Sequence, residues 1–151
     1  MTGRPENPDR VRSGGGVGRE IAIELIRAHP RLFSTEKLEN RAAWQRSNPH
    51  FGLQWVPLGW QDLVGRLCDD LEPLVPDPIP EGFGVVQIKS KFAELRFYIH
   101  MGNPGMLARI ELASEESRRT CEDCGKPGRR ISVKGWLRTV CPTHESLEEA
   151  R

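Results

Sequence analysis

The chain has 151 residues, 37% of them hydrophobic and 28% charged, with a net charge of +1. That length suits one globular domain and excludes two of ordinary size. The near-neutral balance excludes a global field that would drive the protein onto nucleic acid or anionic lipid.

Residues 1–18 combine Pro, Gly, Arg and Asn with almost nothing to bury, and they read as a flexible tail. This stretch also lacks the apolar centre of a secretory signal. No apolar run in the chain approaches the roughly 18–20 residues that cross a bilayer. The expected compartment is the cytoplasm, where clustered cysteines read as metal ligands before disulfides. In Arg19–His29, Ile21, Ala22, Leu25 and Ile26 recur at helical spacing, and Pro30 stops the run. A second helix is expected over about Thr35–Gln45. The aromatic stretch NPHFGLQWVPLGW, residues 48–60, reads as an ordered loop in which Phe51 and Trp55 serve either a core or a contact patch. The clearest helix covers about Trp60–Glu72. There Trp60, Leu63, Val64, Leu67, Cys68 and Leu71 make one apolar stripe, with Cys68 as a small buried hydrophobe and Asp69 on the opposite, solvent face.

PLVPDPIPEGFG, with four prolines and two glycines, reads as a linker. In VVQIKSKFAELRFYI, Val86, Ile88 and Ser90 alternate with Gln87, Lys89 and Lys91. Leu95, Phe97 and Ile99 alternate with Glu94, Arg96 and Tyr98. Period-two alternation on both sides of a turn near Phe92–Ala93 predicts a β-hairpin with one buried face. Asn103–Pro104 then supplies an N-cap and a first helical residue. A helix follows to about Arg119, with Met106, Leu107, Ile110, Ala113, Ser114 and Ser117 on its inner face.

That helix delivers the chain to Cys121-x2-Cys124-x16-Cys141-x2-His144. Two residues between ligands let a tight turn aim both side chains at one ion, and Gly125 permits the positive φ such a turn requires. Two such pairs flanking a short hairpin are the layout of a zinc ribbon or treble-clef knuckle. Thiolates favour Zn2+ over magnesium or calcium. Four protein ligands fill a tetrahedral shell and leave no position for water, so the expected role of the zinc is structural. His29, His50 and His100 are widely separated in sequence, which leaves open whether they converge. The expected fold class is α+β: a helical and β-hairpin body over residues 19–119, and a zinc knuckle with a short C-terminal helix over 120–151, packed with the body as one unit.

Between residues 118 and 138 seven cations stand against two acids, an excess of five. This excess serves either a patch for phosphates or a solvated knuckle. As phosphate contacts, the candidates are Arg129 and Arg130, expected at the tip between the ligand pairs, with Lys126 and Lys134 beside them. Lys89 and Arg96 would form a second row on the hairpin's outer face, which mixes cations with Tyr98 as nucleic-acid surfaces do.

The segments VVQIKSKFAELRFYI, TCEDCGKPG and GWLRTVCPTH resemble a set of small, largely uncharacterised proteins of tailed phages and prophages. Those proteins share a VQIKxKFGxLRFY-like hairpin, a helix and a CxxCGxPG…GW…C-x-x-H/C knuckle. The likeness covers about residues 51–146. Its hairpin turn commonly carries glycine where this chain has Ala93 and Glu94. The resemblance implies a zinc-holding α+β fold and a viral or mobile-element setting, with the host cytoplasm as location. It implies no activity. Three functions compete: a zinc-stabilised module that binds nucleic acid or a nucleoprotein complex, an adaptor or inhibitor of a host protein, and a metal-assisted hydrolase.

Overall fold

In a computed structural model, which describes residues 15–34 and 48–149, four α-helices and two two-stranded antiparallel sheets make an α+β fold. The helices are α1 (Arg19–Ala28), α2 (Gln61–Leu71), α3 (Pro104–Ser117) and α4 (Pro142–Glu149). Strands β1 (Gly84–Lys91) and β2 (Glu94–His100) form one hairpin, and β3 (Arg129–Val133) and β4 (Trp136–Val140) form the other. Single 3-10 turns occupy Leu53–Trp55, Leu58–Trp60 and Glu72–Leu74. The helix expected over Thr35–Gln45 lies outside the described residues.

The apolar stripe of α2 organises the body. Trp60, Leu63, Val64, Leu67, Cys68 and Leu71 are all buried, in a core shared with Ala22 of α1, Phe33, Phe51, Leu53 and the inner face of the first hairpin. His29 ends α1 and joins it to α2. Its Nδ1 lies 2.7 Å from the Leu25 carbonyl, and its Nε2 lies 2.7 Å from the Asp69 carboxylate. Asp69 is therefore more than a solvent position. The proline-rich segment is also tied down. Arg31 donates to the carbonyls of Val75 and Pro76, and the Glu72 carboxylate accepts from the backbone of Arg31 and Leu32.

Residues 15–18, grouped with the tail on composition, are part of the body. Gly16 bridges to Pro57, the Val17 amide donates to the Val56 carbonyl at 2.8 Å, and the Val17 side chain is buried. Composition missed this because what is gained there is backbone pairing, which needs no bulky side chain.

The first hairpin turns at Phe92–Ala93, where φ is 54° and 62°. Two successive left-handed residues are the type I′ geometry that matches strand twist, normally supplied by Asn-Gly. The register pairs Lys89 with Arg96 and Gln87 with Tyr98, so those side chains share the outer face as the alternation predicts. At the start of β1 the alternation fails. Val85 is buried and Val86 is only half-buried, because the register shifts between Val85 and Gln87. A bulge of this kind adds one residue and swaps the faces upstream of it. Each edge of the hairpin is anchored at one residue. Ile88 donates its amide to the Phe51 carbonyl, Leu95 donates to the Ser117 hydroxyl, and the Ser114 hydroxyl donates to the Leu95 carbonyl. That edge pairing explains two serines on the inner face of a helix.

The stripe of α3 is Met106, Ile110, Ala113 and Ser117. Leu107, expected inside, is 51% exposed. It follows Met106 by one residue, so it lies on the flank of that stripe, and the helix meets β2 further along, at Ser114 and Ser117.

Candidate metal centre

The C-terminal unit has almost no core of its own. Its buried apolar cluster consists of Cys121, Val140 and Cys141, with Ile131 packed beside them. What converges there instead is ligand chemistry. The Sγ atoms of Cys121, Cys124 and Cys141 and a ring nitrogen of His144 lie within 4.8 Å of one another. Among the described residues this is the one such group of His, Cys, Asp and Glu, so His29, His50 and His100 do not assemble a second metal site.

Each pair is aimed by local backbone geometry. The first pair lies in the turn after α3. The Cys121 amide donates to the Lys126 carbonyl at 2.8 Å, and the Gly125 amide donates back to the Cys121 carbonyl at 2.9 Å. Gly125 has φ 81°, as the spacing predicts, and a side chain there would also meet the Gly59 carbonyl oxygen at 2.8 Å. The second pair sits at the start of α4. Cys141 precedes Pro142, the first helical residue, and its carbonyl accepts from the Glu145 amide at 2.8 Å. Its sulfur occupies the N-cap acceptor position. Burial raises the Cys141 thiol pKa, but hydrogen bonds from the backbone and ring of His144 and from the neighbouring thiols outweigh it and hold the pKa at about 6.

The distances suit a four-coordinate ion. Cys124 and Cys141 place their sulfurs 3.7 Å apart, and the Cys121 sulfur lies 3.5 Å from His144 Nδ1. Bonds of about 2.3 Å to sulfur and about 2.0 Å to nitrogen give tetrahedral edges of about 3.8 Å and about 3.5 Å. Cys141 Sγ lies closer, 3.1 Å from the same nitrogen. Three thiols and an imidazole are a soft donor set, suited to zinc or iron and not to magnesium or calcium.

Charged contacts stitch the unit together. Arg138 is 2% exposed; it donates to Asp123 at 2.7 Å and to Glu148 of α4. Arg129 makes a two-pronged pair with Glu145, at 3.1 and 2.6 Å. Glu122 accepts from the Thr139 amide at 2.6 Å, and burial pushes its pKa up to about 7. The unit then docks on the body through the loop before α2. Gly59 donates to the Glu122 carbonyl at 2.8 Å, Trp60 Nε1 donates to the Thr120 carbonyl at 2.9 Å, and the Thr139 hydroxyl donates to the Ala93 carbonyl at 3.2 Å. A cleft of about 500 Å³ opens beside the exposed Cys124, walled in part by the ion pair of Arg66 and Glu116.

The candidate phosphate contacts are redistributed by this geometry. Arg129 and Arg130 sit at the base of the second hairpin, paired with Val140 and Thr139, and its tip is the turn at Lys134–Gly135. Sequence position between two ligand pairs suggested a tip, but the strand register puts the turn five residues further on. Arg130 faces Glu94 at 3.8 Å, and Arg96 faces the same carboxylate at 3.9 Å. Lys126 and Lys134 are exposed and form no ion pair among the described residues, whereas Lys89 is half-buried and has a partner. Arg138, counted in the basic excess, is consumed inside the unit. Of the aromatics considered for a contact patch, Phe51 is buried against Phe33, with ring centroids 5.5 Å apart, and Trp55 is 40% exposed.

Three residues that matter here carry no sequence signal of their own: Gly59, Arg138 and Glu94. Each acts through partners far along the chain. Among known protein families, curated proteins and solved structures, none matches the chain. No described helix is long and apolar enough to cross a membrane.

Proposed function

We propose that the chain is a non-enzymatic binding module whose C-terminal unit is a treble-clef-like knuckle held by one structural zinc ion, and that it contacts nucleic acid. The observation that carries this reading is the convergence of Cys121, Cys124, Cys141 and His144 in a unit with almost no apolar core. The order of that unit, ligand turn, hairpin, then a helix that begins with the second pair, supports the treble-clef reading. Three thiolates and a neutral imidazole around Zn2+ fill a tetrahedral shell, which leaves no coordination position for a water and disfavours metal-assisted hydrolysis. Zinc bound only by the folded state contributes its binding energy to folding. It would thereby fix β3 and β4 against the body and shape one continuous surface. The likeness to small phage and prophage proteins supports a mobile-element accessory role in the host cytoplasm, where the thiols stay reduced. An adaptor for a host protein is the second reading, favoured by Trp55 and Leu58, 40% and 42% exposed beside the docking loop.

Elemental analysis of purified protein is expected to show one zinc per chain, and Cys124→Ser to lose it. Chelation is expected to unfold residues 120–149 and to abolish retention of oligonucleotides. Protein that carries no stoichiometric zinc, or that binds equally well after chelation, would overturn this function.

A further inference from the structure

Glu94, the first residue of β2, gathers cations from three elements. Its Oε1 lies 3.2 Å from Nε of Arg118 just after α3, 3.8 Å from Arg130 of β3, and 3.9 Å from Arg96 of β2. One carboxylate, its side chain 14% exposed, thus faces three guanidinium groups, and among the described residues no second carboxylate pairs with Arg96, Arg118 or Arg130. Arg118 alone comes within hydrogen-bonding range, with a second contact of 3.4 Å to Oε2. The approaches of Arg96 and Arg130 are too long for hydrogen bonds. Arg96 Nε is shielded from solvent and has no acceptor among the described residues. Like charges held this close repel, so an arrangement with three cations and one anion is suited to receive another anion.

The neighbouring turn adds a separate observation. Phe92 is 64% exposed at φ 54°, a backbone conformation that bulky residues rarely adopt. Glycine or asparagine would make this turn with less strain. Packing does not account for an aromatic ring there, since the ring is mostly in solvent, with Lys91 Nζ 5.8 Å from its centroid. Backbone strain held at an exposed side chain is a feature of binding sites.

We propose that Arg96, Arg118 and Arg130 form a phosphate-binding cluster, organised by Glu94, and that Phe92 stacks on an adjacent base, so that the ligand is a single-stranded nucleic acid. The proposal rests on the nucleic-acid reading above and adds where and how the strand is held. A phosphodiester offers two free oxygens, which two planar guanidinium forks engage together. An exposed ring in the turn two residues before Glu94 suits an unstacked base, a contact neither a duplex nor an acidic peptide provides. Arg130 lies between the two ligand pairs, so the cluster is complete only when the metal-held unit is docked.

The test is anisotropy of a labelled oligothymidylate across a salt series, with a duplex and polyglutamate as competitors, and with zinc content and melting temperature measured on every variant. Arg96→Gln with Arg118→Gln should weaken single-strand binding about tenfold or more and flatten the plot of log affinity against log salt by about 1.4. Phe92→Gly should lose about tenfold on the single strand with the salt slope unchanged. Arg130→Lys, which keeps the charge and loses the fork, should show an intermediate loss. Arg27→Gln with Arg109→Gln removes the same charge elsewhere and should change affinity less than twofold. Equal losses from the two double variants would overturn the cluster in favour of diffuse attraction. Full binding after the cluster substitutions would place the site elsewhere and leave the nucleic-acid reading standing. An unmodified protein that binds no oligonucleotide would remove both, and equal competition by polyglutamate would identify an acidic protein as the partner. If the double variant fails to fold, Phe92→Gly and Arg130→Lys decide the matter, since neither uncovers the core.

Discussion

Gly59→Ala separates the docking of the C-terminal unit from the binding of any metal at its Cys and His cluster. A methyl carbon at Gly59 would lie 2.1 Å from the Cys121 carbonyl oxygen, 2.7 Å from the Glu122 carbonyl carbon and 2.8 Å from the Glu122 oxygen. Non-bonded heavy atoms rest at about 3.5–4.0 Å. All three obstructing atoms are backbone, so no side-chain rotation relieves the overlap, and the two segments have to part by about 1 Å or more. Parting them breaks the bond from Gly59 to the Glu122 carbonyl and loosens the one from Trp60 to Thr120. At about 1 kcal/mol for each hydrogen bond and about 1–3 kcal/mol for overpacking, the loss is about 3–5 kcal/mol. For a chain of this length that is a fall in melting temperature of about 6–20 °C. Calorimetry measures the fall, and hydrogen exchange locates it in residues 57–60 and 120–124. Zinc content should be unchanged, because Gly59 is no ligand. Gly105→Ala is the control, since its nearest neighbours are side-chain atoms at 3.4 and 3.8 Å. A Gly59→Ala protein that melts within about 2 °C of the unmodified one, with unchanged exchange, would refute the close approach.

Leu67→Ala should cost about 2–5 kcal/mol, because Leu67 lies at the centre of the buried stripe of α2. Asp69→Ala should cost about 1 kcal/mol in urea titration through the loss of its contact with His29, and equal costs would show that α2 is rotated. Arg138→Ala should cost about 3–5 kcal/mol, since it leaves Asp123 and Glu148 without their shared cation; Arg138→Met with Asp123→Asn and Glu148→Gln should recover part of that in the same titration. Burial raises the Cys68 pKa from 9.0 to about 12, so the native thiol should resist iodoacetamide at pH 8 while chelation exposes the other three. The sign follows from linkage: the unfolded thiol ionises above about pH 9 and the native one does not, so stability from this group falls as pH rises from 9 towards 12, by at most about 1.4 kcal/mol per pH unit. Alkylation of Cys68 in the native protein would contradict its burial.

The features legible in the sequence are those set by near neighbours. The spacing of Trp60, Leu63, Val64, Leu67, Cys68 and Leu71 fixes a helix and its buried side, because both follow from 3.6 residues per turn. The pairs Cys121/Cys124 and Cys141/His144 declare a candidate ligand set, because two intervening residues bring each pair to one point. The turn at Phe92–Ala93 and the cap at Asn103 are local in the same sense. Tertiary structure alone decided what depends on distant partners. Gly59 is indistinguishable from any other loop glycine until the ligand turn packs against its α-carbon. The knuckle's seven cations look alike in sequence, yet Arg138 is buried between two carboxylates, Arg129 holds α4, and Arg118 and Arg130 meet Arg96 around Glu94. A guanidinium pairs with whichever carboxylate the fold brings within about 4 Å, and these carboxylates lie on other elements, 10 to 36 residues away except where Arg96 neighbours Glu94 on β2. No periodicity or spacing encodes such a meeting: the pairs of Arg129 and Arg138 form only as the C-terminal unit folds on itself, and that of Arg130 with Glu94 only once the unit has docked on β2.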